Sequence, residues 1–177
     1  MNDSAYTFCE GDLEFDFSGC QHAERFDKPG VPRPHGMSLV DFVVEESERT
    51  LLIEVKAPSD PNAPATVRQS WTKKLRKKPL INESLVPKCR DSYAYLHLME
   101  RDSRPMLFIA CLGLSKVKHD PALLVAFKQN LLAKLKKEAD QPWKRHYVDD
   151  CIVVTDTNWS QHLRYRLSRL SNKQMAP

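Results

Sequence analysis

Residues 39–57 constrain the chain more tightly than any other stretch. Leu39–Glu45 and Thr50–Ala57 are short runs rich in β-branched and apolar residues, joined by the charged turn Glu46-Ser47-Glu48-Arg49. Such a pair reads as a β-hairpin. If Glu45 faces Thr50, then Val44 faces Leu51, Phe42 faces Ile53 and Val40 faces Val55, and one face is wholly apolar. The other face pairs Val43 with Leu52, Asp41 with Glu54 and Leu39 with Lys56. A slip of one residue would mix the faces, so the apolar pattern selects this register.

That register sets two carboxylates side by side among apolar neighbours, which is destabilising unless a cation, a shared proton or open water relieves it. A divalent metal is the simplest remedy, because Mg²⁺ favours one or two carboxylates together with water and phosphate oxygens. Lys56 lies two residues beyond Glu54 and points to the same face. An ammonium there can orient a water or offset charge in a phosphoryl-transfer transition state. The competing explanation is a solvated sheet face with an ordinary lysine–carboxylate pair, since short Glu-x-Lys strings arise often by chance.

Asp41 followed by Glu54-Val55-Lys56 on the next strand resembles the Asp…Glu-x-Lys motif of the PD-(D/E)xK nuclease superfamily, and Met37–Phe42 and Leu52–Pro58 resemble the motif's surroundings in bacterial members. The resemblance implies an α/β fold of the restriction-endonuclease-like type: a mixed sheet flanked by helices, with an antiparallel hairpin carrying the active site. It implies Mg²⁺- or Mn²⁺-dependent hydrolysis of phosphodiester bonds, with Asp41 and Glu54 as metal ligands, the Val55 carbonyl as a further ligand and Lys56 as the catalytic lysine. Many members add an acid upstream. Here Glu10, Glu14, Asp16, Glu24 and Asp27 are available, and Glu24 or Asp27 is favoured because both precede the loop that returns to Asp41. Members often carry a Gln or Lys on the helix after the Glu-x-Lys strand, and Lys88 or Gln69 is the counterpart here. The resemblance also allows a catalytically inactive member that serves as an interaction or nucleic-acid-binding module.

Charge distribution points to an anionic partner. Residues 3–54 are acid-rich, whereas Arg68, Lys73, Lys74, Arg76, Lys77, Lys78, Lys88 and Arg90 follow with a single acid, Glu83, among them. Lys73, Lys74, Arg76, Lys77, Lys78, Lys88 and Arg90 are therefore the candidate nucleic-acid contacts, with DNA as the expected partner. A solvated helix face would carry the same residues. Trp71 could stack on a base or fill the core. No recognition domain is evident, so specificity would need a homodimer or a partner subunit.

The remaining sequence fits one domain over residues 1–177. The five cysteines lack Cys-x-x-Cys spacing, and the six histidines lack metal-ligand spacing, so reduced thiols in a cytoplasmic protein are expected. No apolar run is long enough to span a bilayer, and the polar, acidic Met1–Glu10 does not read as a signal peptide. Leu13–Phe17 alternates as a strand, and the Pro- and Gly-rich Asp27–Gly36 reads as a loop. Thr66–Lys78 is a helix or a basic loop. Ser84 is placed as the N-cap of a helix reaching about Arg101. Met106–Leu114 is a buried strand. Asp120-Pro121 opens a helix running to about Glu138, with Leu124, Phe127, Leu131 and Leu135 on its apolar stripe. Cys151–Thr155 is a short strand. A last helix capped by Thr157 or Asn158 would hold His162, Tyr165 and Leu167, followed by a frayed tail after Leu170.

Overall fold

A computed structural model describes residues 6–28, 30–31, 36–138 and 141–170. Residues 1–5, most of the Pro-rich loop and the tail from 171 onward lie outside the described residues. In chain order the elements are β1 (Thr7–Glu10), β2 (Leu13–Asp16), β3 (His22–Arg25), β4 (Phe42–Glu45), β5 (Thr50–Lys56), α1 (Ala65–Leu75), a π-helical turn (Leu80–Leu85) and α2 (Val86–Leu98). There follow β6 (Met106–Leu112), α3 (Pro121–Leu135), the short strands β7 (Lys137–Glu138) and β8 (Gln141–Pro142), β9 (Asp150–Thr155), α4 (Trp159–His162) and β10 (Arg166–Arg169).

From Phe42 to Glu45 the hairpin forms in the expected register, but the expected strand from Leu39 is shorter: the pairs of Leu39, Val40 and Asp41 with β5 do not form, and Val40 packs with Val43 and Leu52 instead of on the Phe42 and Val44 face. Phe42 lies opposite Ile53, Val43 opposite Leu52, Val44 opposite Leu51 and Glu45 opposite Thr50. A five-stranded mixed sheet grows around it in the order β3-β4-β5-β6-β9. β3, β4 and β5 pair antiparallel, whereas β5, β6 and β9 run parallel. Parallel neighbours need crossovers, and α1 with α2 supplies the first, α3 the second. All seven residues of β6 are buried, as its unbroken apolar sequence requires for a strand covered on both faces.

Two cores flank this sheet. On one face Val43, Leu52, Phe108 and Leu112 pack against Leu75, Leu85, Leu96, Phe127 and Leu131 of the helices. On the other, Phe42, Val44, Ile53 and Ile109 pack against Phe15, Phe17, Trp159 and Tyr165. This second cover is a three-stranded sheet, β1-β2-β10. The face of Phe42, Val44, Leu51, Ile53 and Val55 is thus buried under a second sheet, and the acid-bearing face lies under the helices.

Several expected elements are corrected. The last segment is a single helical turn followed by β10, because Tyr165 and Leu167 alternate with Arg166 and Ser168 and lock onto β2, with Leu167 opposite Phe15. Ser84 is not an N-cap: the chain enters α2 through the π-helical turn, and the Val86 N–H bonds to the Ile81 carbonyl. Pro87 has no N–H to continue an ordinary helical ladder, which accounts for a wider turn just before it. The α3 start is as expected, with the Asp120 carboxylate accepting from the Ala122 N–H and Pro121 in first position. That helix ends at Leu135 rather than near Glu138. The basic stretch after residue 65 is helical as far as Leu75. β1, β3 and β10 were not anticipated as strands.

Candidate active site

β4 begins at Phe42, so Asp41 sits just before the ladder rather than within it. That ending leaves the Val55 N–H without a strand partner on the β4 side, and the Asp41 Oδ2 accepts it at 2.7 Å. The Asp41 carbonyl accepts from the Phe26 N–H at 2.8 Å. Asp41 is therefore fixed by its backbone and by one carboxylate oxygen, and its other oxygen, Oδ1, faces the helices. N–H and C=O of one strand residue leave on the same edge, so the Val55 carbonyl is directed to the Asp41 side as well.

Glu54 occupies the next position on that face and is fully buried. Its two oxygens meet two ammonium groups: Lys56 Nζ lies 2.7 Å from Oε1 and Lys88 Nζ 2.9 Å from Oε2. Both contacts are at the distance of a charge-assisted hydrogen bond, with each ammonium donating to one carboxylate oxygen. Lys88 Nζ also lies 3.6 Å from Asp41 Oδ1 and 3.5 Å from Asp27 Oδ2. Three carboxylates from three segments thus surround one cationic nitrogen supplied by α2.

The electrostatics follow from this packing. Burial, and then the neighbouring Asp41 charge, push the Glu54 carboxyl up to about 7 against the pull of Lys56 and Lys88. Burial works against the Lys88 ammonium, but Glu54 and Asp41 outweigh it and hold the group above its usual value. A buried carboxyl displaced this far, beside a second acid and two lysines, is the kind of environment that catalytic sites build.

Asp27 joins the cluster, and Glu24 does not. Glu24 is engaged by Arg101 at 2.8 Å and lies on the flank with Glu45. Two residues of α2 that the sequence did not single out hold the chain leading into Asp41: Ser92 Oγ accepts from the Val40 N–H at 2.9 Å, and Asp91 Oδ2 accepts from the Ser38 N–H at 3.0 Å. Ser92 shares the buried face of α2 with Cys89 and Leu96. A serine at such a position is a legible sign that a buried backbone group needs a partner.

The basic residues divide. Lys88 is turned into the acid cluster. Lys73, Lys74, Arg76, Lys77 and Lys78 are exposed on and after the last turn of α1. Arg90 is exposed and paired with Asp91 at 2.7 Å. Trp71 is buried in the helical core, with the Lys74 ammonium over its ring. Gln69 is exposed on α1. Cys89, Cys111 and Cys151 are buried, and burial raises each thiol above its usual range. His97 lies at a helix edge, 2.6 Å from Asp102.

The carboxylate oxygens of Asp27, Asp41 and Glu54 are the hard donors that suit Mg²⁺ or Mn²⁺, and the cation now among them is an ammonium. Among the described residues no three His, Cys, Asp or Glu side chains are arranged to grip a metal ion directly. Among the same residues no helix is long and apolar enough to cross a membrane. Compared with protein-family models, curated proteins and solved structures, the chain matches none.

Proposed function

We propose that this chain is a metal-dependent nuclease of the PD-(D/E)xK type that hydrolyses phosphodiester bonds in DNA. The observation that carries the reading is the convergence of Asp27, Asp41 and Glu54 on one cationic nitrogen, with Lys56 on the same face. Asp41 and Glu54 would hold Mg²⁺ or Mn²⁺, with Asp27 as the third acid and the Val55 carbonyl beside them. The ion would polarise the scissile phosphate and lower the pKa of a bound water. Lys56 is the most accessible member of the cluster, with about a quarter of its side chain exposed. It would meet the phosphate and steady the developing negative charge. The mixed sheet with its crossover helices fits the restriction-endonuclease-like architecture that this reading requires.

The test is cleavage of duplex and single-stranded DNA with Mg²⁺ or Mn²⁺, run beside Asp41→Ala and Lys56→Ala. Metal-dependent cleavage by the wild type that falls at least about a hundredfold in both variants is the expected result. Equal background in all three proteins would discard the enzyme.

One observation favours a second reading, a catalytically inactive module with the same fold: both Glu54 oxygens are already neutralised by lysines. The two readings part over Lys88. If the ammonium stands in a metal's place, Lys88→Met should raise Mn²⁺ affinity, seen as a larger thermal shift at a given Mn²⁺ concentration. In a purely structural ion cluster the same variant would lose stability and gain no response to Mn²⁺.

A further inference from the structure

Among the described residues most arginines are neutralised locally, whereas a number of exposed lysines are not. Arg25, Arg49, Arg101, Arg104, Arg145, Arg164, Arg166 and Arg169 each meet a carboxylate. The cations around one cavity of about 250 Å³ do not. Arg76, Lys77 and Lys78, just beyond α1, face Lys134 at the end of α3 and Lys137 in β7 across it. Among the described residues none of these five makes an ion pair, and no carboxylate lines the cavity. Helix dipoles favour a cation in the last turn of a helix, which accounts for Lys134. They do not account for three consecutive cations past the end of α1 that share a cavity with two from another segment. Five like charges around one hollow raise the local positive potential, and an anion seated there would relieve it.

The rest of the lining is not that of a simple ion site. Leu75 and Ile81 form an apolar floor, and the amides of Asn82 and Asn130 flank it. Apolar surface with a few donors and acceptors suits a nucleobase, and the volume suits one nucleotide unit rather than a duplex. The charge does not stop at the rim, since Lys73 and Lys74 continue it along the exposed side of α1. A free small anion would need no such extension, whereas a phosphodiester strand would follow it.

The geometry points to a binding pocket for single-stranded nucleic acid between the ends of α1 and α3, in which Arg76, Lys77, Lys78, Lys134 and Lys137 hold backbone phosphates and one nucleotide is seated over Leu75 and Ile81. It is separate from the acid cluster and stands whether or not that cluster cleaves.

The experiment is fluorescence anisotropy of a labelled single-stranded oligonucleotide of about 15 nucleotides, in EDTA and across a salt series. It uses the full chain carrying Asp41→Ala, so that an inert catalytic centre cannot affect the outcome. Adding Lys77→Glu with Lys134→Glu should weaken binding by about tenfold or more. The slope of log affinity on log salt should become shallower by about 1.4, near 0.7 for each lost phosphate contact. A control pair, Lys116→Glu with Lys144→Glu, makes the same change in net charge outside the cavity and should cost much less. All four lysines are exposed, and unchanged melting temperatures confirm folding. Equal losses in the two pairs, or no loss in the cavity pair, would overturn the pocket. Displacement of the oligonucleotide by micromolar ATP would assign the cavity to a free nucleotide and overturn the strand.

Discussion

Glu54 brings an ionisable carboxyl to a position without solvent, between Asp41 and two lysines. A carboxyl whose folded value lies above its unfolded value is best accommodated as the neutral acid. Its favourable contribution to folding is complete below about pH 4.5 and is lost as the pH rises through about 7. In metal-free protein, ionised Glu54 therefore costs on the order of 3 kcal/mol at pH 8. Glu54→Gln, which keeps the shape and removes the charge, should raise the melting temperature in EDTA at pH 8 and change it little at pH 4.5. A shift of equal size at both values would mean that Glu54 is not held in this way. A fold that tolerates such a cost at a single residue commonly does so for function. The hairpin pattern made Asp41, Glu54 and Lys56 legible as neighbours. Asp27 and Lys88 were among the candidates, but that they rather than Glu24 and Gln69 would meet the cluster was not legible, because it depends on how α2 and the loop after β3 close over the sheet.

Local chemistry settles most elements. Asp120 followed by Pro121 fixes the start of α3, and Asp120→Ala should cost about 1 kcal/mol, a fall in melting temperature of about 2–4 °C. Asp120→Asn should recover most of it, and a variant pair with equal losses would indicate that charge rather than the cap was at work. The hairpin register and the β6 strand were readable for the same reason: each carries an apolar pattern with one solution. The elements that escaped were short and ambiguous. Trp159 to Leu170 carries apolar residues at both helical and strand spacing, and the choice fell to β2, whose remaining edge β10 fills. The π-helical turn was equally hidden, since it arises from two prolines, Pro79 and Pro87, set around a segment that otherwise favours a helix.

At the scale of the whole molecule, the central sheet is covered by helices on one face and by a second sheet on the other, and the chain's last described strand closes the second cover. Arg169 anchors it, bridging Asp156 at 2.7 Å and meeting Asp12, both acids nearly buried. The same Asp156 accepts from the Leu114 and Ser115 N–H groups at the end of β6. Removing Arg169 leaves two buried carboxylates without their cation, so Arg169→Ala should cost about 3 kcal/mol, read as a lower urea midpoint. Arg166→Ala is the matched control. That side chain is 71% exposed and lies 4.0 Å from Glu14 and Asp16, and exposed pairs at that separation contribute little. Similar midpoints for the two variants would remove Arg169 from this role.

By itself the sequence determined the hairpin, the register of Phe42–Glu45 in it, the acids and lysine on one of its faces, and the α3 cap. Each follows from interactions within about twenty residues of chain, where alternation, turn chemistry and capping leave one low-energy arrangement. Tertiary structure alone decided which upstream acid completes the cluster, that Lys88 points inward rather than toward a ligand, that Trp71 is core, and that Lys134 and Lys137 meet the Arg76–Lys78 run. Those contacts join residues far apart in the chain. Their partners are fixed by the packing of two layers on the central sheet, which no local pattern encodes.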